Sequence, residues 1–290
     1  MTMVFYINGK FVLDSEARLS PLDRGFLFGD GLYDTLRAHE GRLFAIEEHL
    51  ARLRSSCESL NITLPHDDSR WRGILNELLE RNQLSRADAR LRITVSRGTG
   101  SDIRGLDAGE PTIFVHAHPV SQATFEEARQ TGKTAIFAGA RRGVGDPVYN
   151  IKITSLAHTV AALREAAAAC ADEAIFLNAN NDVCEFTTSN FFMIREGVLL
   201  TPPTDAPCLP GVSRAHVLQV AQAIDVPTNI VPITADDVLC ADEVFSCSSV
   251  AEIVPIVSVT CRPVGTGKPG PLASRLQVAY RQLVADYAGK

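Results

Sequence analysis

DRGFLFGDGLYDTLR, residues 23–37, is the stretch from which the rest of the chain is read. It follows a loop through Ser20-Pro21 and lies between two hairpin signals. Upstream, Val4–Ile7 and Lys10–Leu13 flank Asn8-Gly9, a two-residue turn whose central positions both need positive φ. Downstream, Glu40-Gly41 suggests a second hairpin. Short hairpins join antiparallel strands, so the first half is expected to be α+β around an antiparallel sheet. Ile46, Leu50, Leu53, Cys57 and Leu60 then recur at helical spacing and predict an amphipathic helix. A second helix is expected over 67–81, and β-rich runs cover 91–96 and 112–116.

Further out, the chain turns polar and a linker is placed at 121–133. It separates a small N-terminal α+β domain (1–120) from a large C-terminal domain (134–290). The second half is expected to begin with a strand at 134–138 and a loop rich in Arg and Gly at 139–147. After Lys152, the apolar positions Leu156, Val160, Leu163 and Ala167 mark an Ala-rich helix. Strands are expected at 173–177, 191–194, 198–200, 243–247 and 252–257. Pro210-Gly211 precedes a helix running to about Ala223, and a last helix covers 271–287.

Composition removes several function classes. An apolar fraction of 46% and a charged fraction of 21% are those of an ordinary soluble globular protein. A net charge of −6 argues against a general nucleic-acid or anionic-membrane binder. The start, MTMVFYINGKF, has no basic region followed by an apolar stretch, so no signal peptide is expected. No apolar run approaches the roughly 20 residues of a membrane helix. The seven cysteines are scattered without a CxxC pair, which suggests neither a disulfide framework nor zinc and fits a reducing cytoplasm. His116 and His118 would share one strand face and are read as structural, because no Cys, Asp or Glu completes a metal site there. Gly211-Val212-Ser213-Arg214-Ala215 misses the GxSxG elbow at its last position. Neither Gly98-Thr99-Gly100 nor Gly265-Thr266-Gly267-Lys268 has the spacing of a nucleotide fingerprint.

What remains is a series of unusual polar segments in a fixed order. They are Asp23-Arg24-Gly25 with Phe28-Gly29-Asp30-Gly31, then Glu48-His49 with Arg52-Leu53, then Ile151-Lys152, then Glu185 with Asn190, then Leu209 to Arg214. With Tyr6 to Gly9 at one end and Glu252 to Pro255 at the other, the series resembles the class IV (fold type IV) aminotransferases. That family includes D-amino acid transaminases, branched-chain aminotransferases and aminodeoxychorismate lyases. The resemblance implies two α/β domains with pyridoxal 5′-phosphate at the domain interface, and a homodimer.

It also implies roles. Lys152 would hold the cofactor as a Schiff base and shuttle the proton; read by itself it is a solvated lysine beginning a helix. Glu185 would keep the pyridine nitrogen protonated, with Asn190 as support; read by itself it is a strand-end acid. Arg52, the amides of Val212 and Ser213, and Ser249 would take the phosphate, with the helix dipole after Gly211 helping. Tyr33 would face the substrate, with Val250 beside Ser249. Arg104 would trap the substrate carboxylate, with Arg37 and Arg92 as rivals, one of which could instead pair with Asp34.

Departures narrow the activity. Asp34 replaces the family's glutamate, and the branched-chain Tyr-Ile-Arg-Pro segment reads Arg90-Leu91-Arg92-Ile93. Ser248 stands where the lyases carry asparagine, and the segment from Phe245 to Glu252 is closest to the D-amino acid transaminases. The expected reaction moves an amino group from an amino acid, with a lean to D-amino acids, to 2-oxoglutarate or pyruvate. A branched-chain L-amino acid aminotransferase, a lyase and a cofactor carrier without turnover are the alternatives.

Overall fold

The computed structural model describes residues 2–105 and 109–288. The chain divides into two compact units. The first holds the residues up to Ser121 together with Ile151–Ser155, and the second holds Gln122–Asn150 and the residues from Leu156 onward.

In the first unit, β1 (Val4–Ile7) and β2 (Lys10–Leu13) form the expected hairpin, with Asn8 at φ 45° and Gly9 at φ 89°. A short helix α1 (Arg24–Phe28) leads into β3 (Gly31–His39) and its hairpin partner β4 (Arg42–Leu43). Helices α2 (Ile46–Ser59) and α3 (Asp68–Arg81) follow, then β5 (Ala89–Ser96) and β6 (Thr112–Pro119). Among the described residues the six strands make one antiparallel sheet in the order β2-β1-β6-β5-β3-β4. Its core face carries Leu32, Leu36, Leu91, Ile93 and Val95 against Leu50 and Leu53 of α2 and Trp71, Leu75 and Leu78 of α3. Side chains alternate along a strand, so Tyr33, Arg92, Thr94, His116 and His118 take the other face. Asp67 starts α3 by accepting from the Arg70 amide at 2.8 Å.

In the second unit, α4 (Gln122–Thr131) precedes β7 (Lys133–Arg142), a 3₁₀ turn (Pro147–Asn150) and α5 (Ala157–Ala168). There follow β8 (Glu173–Asn178), β9 (Val183–Phe186), β10 (Asn190–Arg195) and β11 (Val198–Thr201). The remainder is α6 (Val212–Ala223), β12 (Thr228–Ile230), α7 (Ala235–Leu239), β13 (Glu243–Ser248), β14 (Glu252–Val259), β15 (Arg262–Pro263) and α8 (Pro271–Ala288). Among the described residues the strand order is β12-β11-β10-β13-β14-β7-β8-β9, with β15 on β14. The sheet is mixed: β14 with β7, β7 with β8 and β11 with β12 are parallel, and the other pairs are antiparallel. Among the described residues no helix is long and apolar enough to cross a membrane.

Three sequence expectations need correction. Most of the stretch read as a linker, 121–133, is helix α4, which starts the second unit. The loop expected over 139–147 is strand as far as Arg142, because β7 continues along β8 to the Arg142–Asn178 pair. Lys152, expected in the C-terminal domain, belongs to the first unit, since residues 151–155 pack and hydrogen-bond there.

Candidate active site

The Phe28-Gly29-Asp30-Gly31 segment explains where Lys152 sits. Asp23 caps α1 by accepting from the Gly25 amide at 2.9 Å, and Gly29 ends the helix in the left-handed region at φ 68°. A Cβ on Gly29 would lie 2.9 Å from Ser155 Cβ, and one on Gly31 would lie 2.7 Å from the Val95 carbonyl oxygen. Bare backbone at Gly29 lets Ser155 come close before the start of β3, and bare backbone at Gly31 lets β5 pass close beside it. There the Tyr33 amide donates to the Lys152 carbonyl at 2.8 Å, and the Thr154 amide donates to the Gly31 carbonyl at 2.9 Å. The Thr154 hydroxyl adds a bond to the Gly29 carbonyl at 3.0 Å. The result sets Lys152 Nζ 4.8 Å from the centroid of the Tyr33 ring. The Arg92 guanidinium stands 3.6 Å from that same ring centroid. A cation over an aromatic face gains about 0.5–2 kcal/mol, so the ring orders both cations.

Of the three arginines proposed for the substrate carboxylate, Arg92 is the one brought to Tyr33 and Lys152. Burial lowers the Arg92 pKa from its ordinary value, opposed by Tyr33 and aided by Arg90. Arg37 is fully buried and its Nη2 donates to Asp88 Oδ2 at 3.0 Å. Arg104 is exposed on the turn from Asp102 to Gly105. That turn is held from below by Arg24, whose guanidinium donates to the carbonyls of Asp102 and Ile103 and to Asp30.

Asp34 takes a different arginine from the two considered in the sequence. Arg52 donates to it in a bidentate pair at 2.9 and 2.8 Å, and His49 Nδ1 lies 2.8 Å from its Oδ1. Burial opposes its ionisation, but the charges and hydrogen bonds of Arg52 and His49 prevail and hold its carboxyl well below the usual range. Arg52 thus serves first as an ion-pair partner on α2.

In the second unit, Glu185 on β9 is buried and both its oxygens are bonded. Oε1 accepts from Arg142 Nη1 at 2.7 Å, and Oε2 accepts from Asn190 Nδ2 and the Leu209 amide, each at 3.2 Å. Gly211 precedes α6 and supplies no side-chain cap to its first turn. A Cβ on Gly211 would overlap Asn190 Oδ1, so the helix start and the Asn190 amide are in direct contact. Ser213 Oγ meets Ser249 Oγ at 3.2 Å, which brings the hydroxyl of α6 to the Ser249-Val250 turn between β13 and β14. Arg129 of α4 braces that turn by donating to the Ala251 carbonyl at 2.6 Å and to Glu252 at 3.0 Å. Burial pushes the nearby thiols of Cys184 and Cys208 up to about 12, so they are inert neighbours.

Sequence reasoning does not single out Arg142 or Arg129. Arg142 is the second of two adjacent arginines, and its partner Glu185 is 43 residues away. Only the family's need for a partner to Glu185 could have prompted a search for it.

A family description for class IV amino-transferases matches residues 31–259. The chain belongs to the class IV aminotransferases. It is 35% identical over 286 residues to a putative branched-chain-amino-acid aminotransferase of Methanocaldococcus jannaschii, covering 97% of this chain and 96% of that one. It is 32% identical over 289 residues to a D-alanine aminotransferase of Bacillus licheniformis, covering 99% of each. Among solved structures it resembles the branched-chain aminotransferase of Thermoproteus uzoniensis with norvaline, with a TM-score of 0.88, 26% identity and coverage of 99% and 96%. The Escherichia coli branched-chain enzyme has the same fold, with a TM-score of 0.92 at 23% identity and coverage of 98% and 95%.

Class IV aminotransferases use pyridoxal 5′-phosphate. The residues of this chain fit that group. A primary amine stands at an aromatic face, a carboxylate is fixed by three donors, and a helix start without a side-chain cap carries two converging hydroxyls. These suit, in turn, an aldehyde, a ring nitrogen and a phosphate.

Proposed function

We propose that this aminotransferase moves the amino group of a D-alanine-like amino acid to a 2-keto acid such as 2-oxoglutarate or pyruvate. One observation carries the transfer between amino and keto acids, whichever the handedness: the Lys152 amine and the Arg92 guanidinium lie over a single ring, Tyr33. An amine that reacts with carbonyls and a fork that reads carboxylates thus share one ring as neighbour, which suits an α-amino or α-keto acid.

When bound, the cofactor supplies an electron sink for the substrate carbon. Lys152 Nζ would hold the aldehyde end, and its amine would move the proton at substrate Cα. Glu185 would keep the ring nitrogen protonated, through a carboxylate that Asn190 and the Leu209 amide hold. Arg52, Ser213, Ser249 and the amides of Val212 and Ser213 take the phosphate. Tyr33 and the Val250 amide would each meet the substrate, and Arg92 and Arg104 read substrate carboxylates. The D-alanine aminotransferase relative, aligned along nearly all of both chains, supports the D-lean.

A second reading, transfer from branched-chain L-amino acids, is favoured by Arg92 itself, which keeps the arginine of the branched-chain segment, and by the Methanocaldococcus jannaschii relative. The discriminating measurement is the visible absorption of the loaded protein mixed separately with D-alanine and L-leucine, without keto acid. Bleaching by D-alanine alone supports the first reading; bleaching by L-leucine alone transfers the conclusion to the second. Lys152→Ala should abolish steady turnover, and substantial residual activity would sink the role of Lys152. The reading includes a homodimer, supported by the exposed Leu19, Leu22 and Phe26 around α1 and testable by sedimentation. It also includes a cytoplasmic setting, which suits the exposed thiols of Cys170, Cys240 and Cys261.

A further inference from the structure

Arg142 is a buried arginine that the proposed chemistry does not itself call for. Its side chain is 5% exposed, at the end of β7. The guanidinium carbon lies 4.4 Å from the Phe176 ring centroid and 4.8 Å from that of Tyr149, so the plane is held by two aromatic rings. Nη1 donates to Glu185 Oε1 at 2.7 Å and to the Pro207 carbonyl at 2.8 Å. Nε is buried and has no hydrogen-bond partner among the described residues, which leaves part of its desolvation cost unmet.

The groups around Arg142 leave Glu185 as its ionic partner. His158 packs against Tyr149 and Phe176, with ring centroids 6.0 and 5.7 Å apart. Its pKa is lowered by burial and by Arg142, so it adds no second cation near neutral pH. Cys184 and Cys208 stay protonated. The pair therefore joins one fixed cation to one fixed anion. Breaking such a pair by removing one partner costs about 3–5 kcal/mol, whereas removing both charges together is often neutral.

We propose that Arg142 is a positioning residue for the cofactor's ring nitrogen: it fixes the Glu185 carboxylate and shares its charge, so that the carboxylate meets the ring in one orientation and with tempered basicity. The inference rests on the assignment of Glu185 to that nitrogen. A carboxylate that already faces a guanidinium attracts a second cation less strongly than a lone one does. Arg142 should therefore set how tightly the ring proton is held, as well as how tightly the cofactor is bound.

The test uses the full-length protein stripped of cofactor and reloaded with pyridoxal 5′-phosphate. Two readouts besides turnover are followed: the dissociation constant by fluorescence quenching, and the pH midpoint of the bound cofactor's visible absorption. Arg142→Met should weaken binding by roughly tenfold or more and move the midpoint by about one pH unit, the size of one lost charge-assisted contact. Arg142→Lys should restore most of the midpoint but less of the affinity, because an ammonium keeps the charge and loses the planar stack. In a Glu185→Gln background, Arg142→Met should change neither readout further. That double variant leaves no buried charge alone, so it can be examined even if Arg142→Met does not fold.

The outcomes separate. If Glu185→Gln alone leaves both readouts at wild-type values, the assignment of Glu185 fails. If Glu185→Gln moves them but Arg142→Met does not, the inference about Arg142 is overturned. Equal shifts from Arg142→Met with and without the Glu185 carboxylate would overturn it too, because Arg142 would then act through something other than Glu185.

Discussion

Arg52 lies along the Asp34 carboxylate, with Nε 2.9 Å from Oδ2 and Nη2 2.8 Å from Oδ1, and Asp34 is almost fully buried beneath it. This ties α2 to β3 at the residue that follows Tyr33. Asp34→Asn keeps the shape and removes the charge that compensates Arg52. It should destabilise the cofactor-free protein by about 3 kcal/mol at neutral pH, read from urea unfolding. The pH dependence has a defined sign. The folded-state pKa of Asp34 lies below its unfolded value, so its contribution is complete above the ordinary carboxylate range and is lost as pH falls through that range and below. Wild type and Asp34→Asn should therefore converge in stability on acidification, and a constant gap down to strongly acid pH would remove Asp34 as the cause.

His116 offers a second pH test, at a different place on the same sheet. Its ring stacks on Phe114 with centroids 5.3 Å apart, and Nδ1 is buried without a hydrogen-bond partner among the described residues. Burial, then His118, Arg90 and Arg92, bring its pKa down from 6.5 to about 4. The unfolded chain thus binds the extra proton first, and stability falls as pH drops from 6.5 towards 4. His116→Phe keeps a ring on Phe114 and removes the proton site. Its melting temperature should decline less over that window than wild type's; parallel curves would show that His116 is not the titrating group.

Gly211 tests the contact between the helix start and the carboxylate. Its φ of −72° is open to any residue, so the objection to a side chain is space, not backbone strain. A methyl there would overlap Asn190 Oδ1, and Asn190 also holds Glu185 and the Leu209 carbonyl. Gly211→Ala should weaken pyridoxal 5′-phosphate binding by about tenfold or more, the loss expected when one hydrogen bond to a charged group is displaced. Binding at the wild-type constant would show that Asn190 moves aside without consequence.

These contacts show what the sequence could and could not reveal. Asn8-Gly9 was legible because the turn needs two positive φ values and the residues that accept them. Helix α2 was legible because Ile46, Leu50, Leu53 and Cys57 form one buried stripe. Helix α4 was not, because none of its residues is buried and Phe125 is its one large apolar side chain. Strand β9 escaped for the opposite reason: all four of its residues are buried, so there is no alternation. Among the arginines, residue type alone does not separate Arg141, which bonds the nearby Ala138 carbonyl, from Arg142, which pairs with distant Glu185. Arg37 likewise pairs with Asp88, 51 residues further on, which its local sequence does not announce. Local pattern fixes elements; long-range charge pairing waits for the fold.

Arg24 supplies the last prediction, because it joins the DRG motif to the turn that carries Arg104. It is 2% exposed, bonded to Asp30 at 2.8 Å and to the carbonyls of Asp102 and Ile103, and Gly100 leaves room beside it: a Cβ there would lie 3.2 Å from Arg24 Cδ. Backbone bonds from Arg24 to the Gly98 carbonyl and from Gly100 to the Leu22 carbonyl, at 2.8 and 2.9 Å, zip the same two segments together. Arg24→Lys retains a cation for Asp30 but cannot span both carbonyls. If Arg104 reads a substrate carboxylate, Arg104→Ala should raise KM for the keto acid by roughly tenfold or more, one charge-assisted contact. Arg24→Lys should raise KM in the same sense with kcat nearly preserved, because the turn loosens while Lys152 keeps its place on β3. Residues that act through one another are not additive, so the double variant should be no worse than Arg104→Ala alone. An unchanged KM in Arg104→Ala would move carboxylate reading to Arg92. A raised KM there with none in Arg24→Lys would show that the turn holds its shape without the arginine beneath it.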